Sequence, residues 1–249
     1  MPKFAANLTW LFTDRPMIER VGAAAEAGFT GVEVLFPYDL NAQELRDEVA
    51  LHGLEMVLIN SPPPNYTGGE QGWAAVPEQL ARFRKDFERV LRYASVLKPQ
   101  MLHIMSGVAE GPEAEACFIE NLKWAADHAQ GFPLTIEVIN RGTMPGYFLH
   151  DYDQAAHILD AVNAPNLGLQ LDTFHAHQIT GDVTATWEAH GARVTHIQVG
   201  NGDDRHEPGS EPFDHPAFFE MLDAVGYKGW IAGEYKPAGQ TEDGLAWMK

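Results

Sequence analysis

The chain has little of several things that would settle its class at once. A single cysteine in 249 residues, Cys117, excludes an internal disulfide and a thiolate metal cluster. Its place in the helical pattern "EAEACFIENLKWAADHA" reads as a buried structural thiol. Basic residues are scarce: 17 Lys and Arg stand against 35 Asp and Glu, and the formal charge of −18 repels nucleic acid and anionic membrane surfaces. No apolar run approaches the roughly 20 residues that cross a bilayer. The opening "MPKFAANLTWLF" runs straight into "TDRPMIER" and lacks the apolar core and cleavage site of a secretory signal. There is no G-x-S-x-G elbow, no Walker loop and no H-E-x-x-H. The expectation is a soluble cytoplasmic protein whose partner is a small molecule, with neither nucleic acid nor membrane involved and a homo-oligomer left open.

What is present is a repeat. Eight short runs read as strands: "FAANL" from Phe4, "GVEVLF" from Gly31, "EMVLIN" from Glu55, "QMLHIMSG" from Gln100, "LTIEVIN" from Leu134, "LGLQLD" from Leu167, "VTHIQVG" from Val194 and "WIAGEY" from Trp230. Amphipathic helical patterns such as "PMIERVGAAAEAG" and "DYDQAAHILDAVNA" alternate with them. Strict alternation implies parallel strands joined by crossovers, and eight strands close a barrel. The expected fold is therefore α/β, a single (β/α)8 TIM barrel over residues 1–249. An open doubly wound sheet is the alternative, but it would carry a glycine-rich phosphate loop after its first strand, and "NLTWLFTDRP" has no Gly. The longest connection, "NSPPPNYTGGEQGWAAVPEQ" from Asn60 to Gln79, is a candidate lid or a packed surface loop.

In a barrel the C-terminal ends of the strands converge on one face. The last four strands bring Glu137, Asp172, His196 with Gln198, and Glu234 toward it. Three carboxylates in one mouth repel each other unless a cation lies between them. Oxygen donors without cysteine suit a hard divalent ion, Mg²⁺ or Mn²⁺. His175, three residues after Asp172, is expected in the loop at the mouth, within reach of substrate. His196 and His103 lie deeper and read as core histidines. Two acids beside a metal suit proton transfer next to a carbonyl.

Taken with their neighbours, these residues resemble the hydroxypyruvate isomerase family of the xylose isomerase-like TIM barrels. The match runs nearly end to end through "FAANLTWLF", "GVEVLFPYDL", "NSPPPNYTGGEQG", "NRGTMPGYFL", "LQLDTFHAHQITGD", "HIQVGNGDDRHEPGSE" and "GEYKPAGQTEDGLAW". The resemblance implies that Glu137, Asp172, Gln198 and Glu234 bind a divalent metal, and that Glu137 and Glu234 accept and donate the proton. It also implies an isomerase of small hydroxylated 2-oxo acids, interconverting hydroxypyruvate and tartronate semialdehyde or acting on 2-oxotetronate. The chain departs from the family pattern at Val138, where Pro is usual, and at Lys236, where Arg is common. A substrate carboxylate would need a dedicated cation in so acidic a protein. Arg205 in "GNGDDRHEPG" is the candidate, with Lys236 assisting, unless Arg205 only pairs with Asp203, Asp204 or Glu207 beside it. Three other functions compete: a ketose 3-epimerase with the same metal site, an endonuclease for abasic DNA, which the charge disfavours, and a binding protein with a vestigial site.

Overall fold

The computed structural model of the protein describes residues 2–61, 72–129 and 131–248. Residues 62–71 of the candidate lid lie outside them. The strands are β1 (Lys3–Asn7), β2 (Gly31–Glu33), β3 (Glu55–Met56), β4 (Leu58–Asn60), β5 (Met101–His103), β6 (Leu134–Glu137), β7 (Leu167–Asp172), β8 (Val194–Val199) and β9 (Trp230–Gly233). All pair in parallel, in the order β3-β2-β1-β9-β8-β7-β6-β5-β4. The two ends of that order are halves of one strand, separated by Val57 alone. The Val57 amide donates to Val32 O at 2.7 Å, and its carbonyl accepts from Met101 N at 3.0 Å, so hydrogen bonds carry the ring around. The eight expected strands are therefore present, and the sheet closes as a barrel.

The helices are α1 (Met17–Glu26), α2 (Ala42–Leu51), α3 (Leu80–Leu97), α4 (Gly111–His128), α5 (Tyr152–Val162), α6 (Thr173–Thr180), α7 (Val183–His190) and α8 (His215–Ala224). Their starts follow from residue chemistry. Asn41, Asp151, Asp182 and Asp214 each accept a hydrogen bond from a first-turn amide of α2, α5, α7 and α8. The outer faces of the strands and the apolar stripes of the helices form the main core. A separate small cluster of Ala5, Val57, Leu58, Met101, Trp230 and Ala232 fills the lower barrel. Gly31 makes room for it, since a Cβ there would come within 2.7 Å of both Trp230 and Val57. Above this apolar plug the inward positions turn polar, which opens the upper barrel to chemistry.

Candidate active site

Period-two alternation carries polar side chains into the barrel from strand after strand. Asn7 and Glu33 are register partners on β1 and β2, Glu137 faces Gln170 across β6 and β7, and Asp172 faces Gln198 across β7 and β8. Glu234 follows β9 directly, its amide hydrogen-bonded to Val199 O at 3.0 Å. All seven side chains are buried.

Asp172 ends its strand because it also starts a helix. One carboxylate oxygen accepts from Phe174 N at 2.8 Å and caps α6; the other accepts from Arg205 Nη2 at 2.7 Å. This cap changes one expectation. His175 stands in the first turn of α6, not in a loop, because the chain passes from strand to helix with no turn between. The imidazole still faces the site, with Nε2 3.7 Å from Asp172 Oδ2 and 3.8 Å from Glu137 Oε1, and Nδ1 2.7 Å from Asn140 Nδ2. Burial pulls its pKa down to about 4, although Asp172 works against that shift.

Arg205 reaches the acids from the loop after β8. Its Nη2 donates to Glu234 Oε1 at 2.6 Å as well as to Asp172, and the guanidinium lies over the rings of Phe174 and Trp10, at 4.8 and 5.0 Å from their centroids. The alternative of pairing with Asp203, Asp204 or Glu207 is not what the structure shows; Glu207 instead accepts from Ala238 N. Arg205 has φ 56, a left-handed conformation that disfavours a residue with a side chain, and its carbonyl is held by Lys236 N at 2.9 Å. Lys236 itself has an exposed side chain at the rim.

The two glutamates differ in their surroundings. Glu234 Oε2 accepts from Asn7 Nδ2 at 2.7 Å and from Gln198 Nε2 at 2.5 Å, while Oε1 faces Arg205. Burial raises its pKa to about 8; Arg205 restrains the rise, and Asp172 and Glu33 add to it. Glu137 accepts no hydrogen bond among the described residues, and His103 Nδ1 and His175 Nε2 both stand 3.8 Å away. Burial pushes its pKa well up, and the nearby charges of Glu234 and Asp172 push it further. His103 is fully buried with neither ring nitrogen bonded, and burial lowers its pKa to about 3. A buried carboxylate without donors and a buried imidazole without partners are both unfinished arrangements.

An ion fits this chemistry. Ligand atoms of Glu137, Asp172 and His175 lie within 4.8 Å of one another, and Glu234 Oε1 faces the same mouth. Gln198 is in the cluster with its amide turned: the oxygen accepts from Gln170 Nε2 at 2.6 Å, and the nitrogen faces Glu33 and Glu234. Offering oxygen to an ion requires a half-turn of that amide. Asn7, Glu33 and Gln170 were not expected from sequence. The available signal was the period-two phase of "FAANL" and "GVEVLF", which puts Asn7 and Glu33 on the inner face once the barrel is accepted.

Fold and site together define a (β/α)8 barrel with an acid-rich mouth able to hold a cation, the arrangement of a barrel-type enzyme. The xylose isomerase-like TIM barrel family matches residues 21–249, and the chain belongs to it. It is 40% identical to a 2-oxo-tetronate isomerase of Cupriavidus necator, covering 100% of this chain and 98% of that one. It is 34% identical to a hydroxypyruvate isomerase of Escherichia coli, again over 100% and 98%. A crystal structure from Brucella melitensis named AP endonuclease, family 2 is 42% identical with a TM-score of 0.95, covering 100% of this chain and 98% of that one. Among the described residues no helix is long and apolar enough to cross a membrane.

Proposed function

We propose that the protein is a divalent-metal-dependent aldose-ketose isomerase of a small hydroxylated 2-oxo acid, related in substrate to hydroxypyruvate or 2-oxotetronate. The observation that carries this reading is the unequal pair of buried glutamates around one mouth. Among the described residues none donates to either oxygen of Glu137, whereas Glu234 is fixed by three donors. Isomerisation moves a proton between adjacent carbons, so it needs a base able to take the proton and a second group able to return it. Glu137, with a raised pKa and no donor on either oxygen among the described residues, suits the first task. Glu234 Oε1, with a pKa near 8, suits the second.

Glu137, Asp172, Glu234 and, after the amide turn, Gln198 would hold Mg²⁺ or Mn²⁺, with His175 within reach. When bound, such an ion polarises the substrate carbonyl and stabilises the negative charge that develops on its oxygen. Arg205 would orient the substrate carboxylate, and Lys236 would contribute charge at the rim. The nuclease name of the Brucella melitensis relative suggests a second reading, but a formal charge of −18 argues against a polyanion as substrate.

A product assay tests the reading. Hydroxypyruvate, 2-oxotetronate, free ketoses and an abasic DNA duplex are each incubated with and without Mn²⁺. Metal-stimulated isomerisation of a 2-oxo acid supports it. Preference for ketose epimerisation or strand cleavage overturns it.

A further inference from the structure

Beneath the mouth four side chains form a closed ring of hydrogen bonds. Asn7 Nδ2 donates to Glu33 Oε1 and to Glu234 Oε2, both at 2.7 Å. Gln198 Nε2 donates to the same two oxygens, at 2.6 and 2.5 Å. Each amide has two hydrogens, and both are used; each acceptor oxygen receives two. Donors and acceptors thus alternate around the ring.

Both amides are also pinned from behind. Asn7 Oδ1 accepts from Thr9 N at 3.0 Å, and Gln198 Oε1 accepts from Gln170 Nε2 at 2.6 Å. The other oxygen of Glu33, Oε2, pairs with His196 Nε2 at 2.8 Å. Glu33 and Gln198 are fully buried, so water offers no substitute partners. Glu33 does not face the mouth as an open ligand. Its position makes sense as an acceptor-only hub that dictates which way two amides point.

We propose that Glu33 is a positioning residue: through Asn7, and in the metal-free protein also through Gln198, it commits one oxygen of Glu234 to the barrel interior and leaves the other, Oε1, for the reaction. This rests on the reading of Glu234 as a proton-transferring group. It goes beyond that reading by assigning a role to a carboxylate two strands away around the barrel, on β2. Without an acceptor at position 33 the Asn7 amide can turn over, and Glu234 loses its fixed orientation.

The test compares Glu33→Leu, Glu33→Gln and Asn7→Leu with the wild type, using hydroxypyruvate or 2-oxotetronate, whichever turns over faster. Glu33→Leu should lower kcat about 10- to 100-fold, the scale on which groups supporting a site act, with a smaller change in KM. Glu33→Gln retains one oxygen that can accept from both amides, and His196 can change tautomer to meet its nitrogen, so most of kcat should return. Asn7→Leu opens the ring at another corner and should reproduce the loss even if Glu33→Leu does not fold. Hydrogen-exchange protection of the Gln198 side-chain amide, read by ¹⁵N NMR on metal-free protein, needs no turnover. It should be high in the wild type and lost in Glu33→Leu, which removes one of the two acceptors of that amide. Native kcat in both leucine variants, or retained protection in Glu33→Leu, overturns the proposal. Absence of turnover in the wild type would instead strike at the isomerase reading and leave the NMR result to decide the role of Glu33.

Discussion

Arg205 Nη2 bonds Asp172 Oδ2 at 2.7 Å across 33 residues of sequence, and the same nitrogen bonds Glu234 Oε1 at 2.6 Å. One guanidinium therefore neutralises two walls of the mouth. Removing it should harm substrate handling and the resting protein alike. Arg205→Lys should lower kcat/KM for a 2-oxo acid, because a point charge does not reproduce the planar fork. Arg205→Ala should lower it further, about 10- to 150-fold, the equivalent of roughly 1.5–3 kcal/mol for a hydrogen bond to a charged group. Weak activity on a neutral ketose should fall much less. Melting temperatures in chelator should show Arg205→Ala losing more stability than the wild type, since buried acids are then left uncompensated. Equal kinetic losses on acid and ketose would reduce Arg205 to a shaping residue.

The two glutamates should respond differently to neutralisation. Glu137→Gln and Glu234→Gln should each lower kcat about 10²-fold or more, the usual scale of general acid-base catalysis. Stability of the metal-free protein should separate them. Glu137→Gln removes a buried acid whose ionised form burial and the charges of Glu234 and Asp172 disfavour, and which accepts no hydrogen bond among the described residues, and should raise the melting temperature. Glu234→Gln puts an amide where three donors converge and should lower it. The opposite order would mean that the hydrogen-bond asymmetry does not govern the site.

The pH dependence of stability has a definite sign. Glu234, at about 8 against an ordinary value of 4.5, binds a proton more tightly folded than unfolded, so its contribution is lost as pH rises between those values. His175, at about 4 against 6.5, acts oppositely, and its contribution is lost as pH falls from 6.5 to 4. Only the acid acts above 6.5. The urea midpoint of metal-free protein should therefore fall from pH 6.5 to 8, and Mn²⁺ should flatten the slope. A midpoint that rises over this window would show that the buried glutamates are already ionised and compensated at pH 6.5.

Gly31→Ala tests the plug beneath the site. A Cβ 2.7 Å from Trp230 and Val57 overpacks the lower barrel, which commonly destabilises by about 1–3 kcal/mol. Denaturant unfolding should register the loss. An unchanged midpoint would mean that the lower barrel relaxes freely around Trp230.

The barrel was legible because strand and helix periods alternate strictly, and the eight runs fall where the strands do. Val57 breaks the third run into two without altering the ring. The placement of Glu137, Asp172, Gln198 and Glu234 at the mouth was legible because each lies within one residue of the C-terminal end of a strand. Glu33 was not, because the apolar run "GVEVLF" continues past it, although the strand ends there and the barrel's phase turns it inward. His175 was assigned to a loop because Asp172 serves two elements at once, ending β7 and capping α6. The orientation of the Gln198 amide has no sequence signal. It is set by Gln170 and Glu33, which arrive from different strands.

Proton transfer at the carbon beside a carbonyl is most directly read by isomerisation in D₂O. Hydroxypyruvate and 2-oxotetronate are incubated with Mn²⁺-loaded protein, and the products are followed by NMR. The expected result is conversion to the isomeric product with deuterium at the carbon that receives the proton, lost in Glu137→Gln. Conversion of neither 2-oxo acid, with turnover of a free ketose under the same conditions, would contradict it.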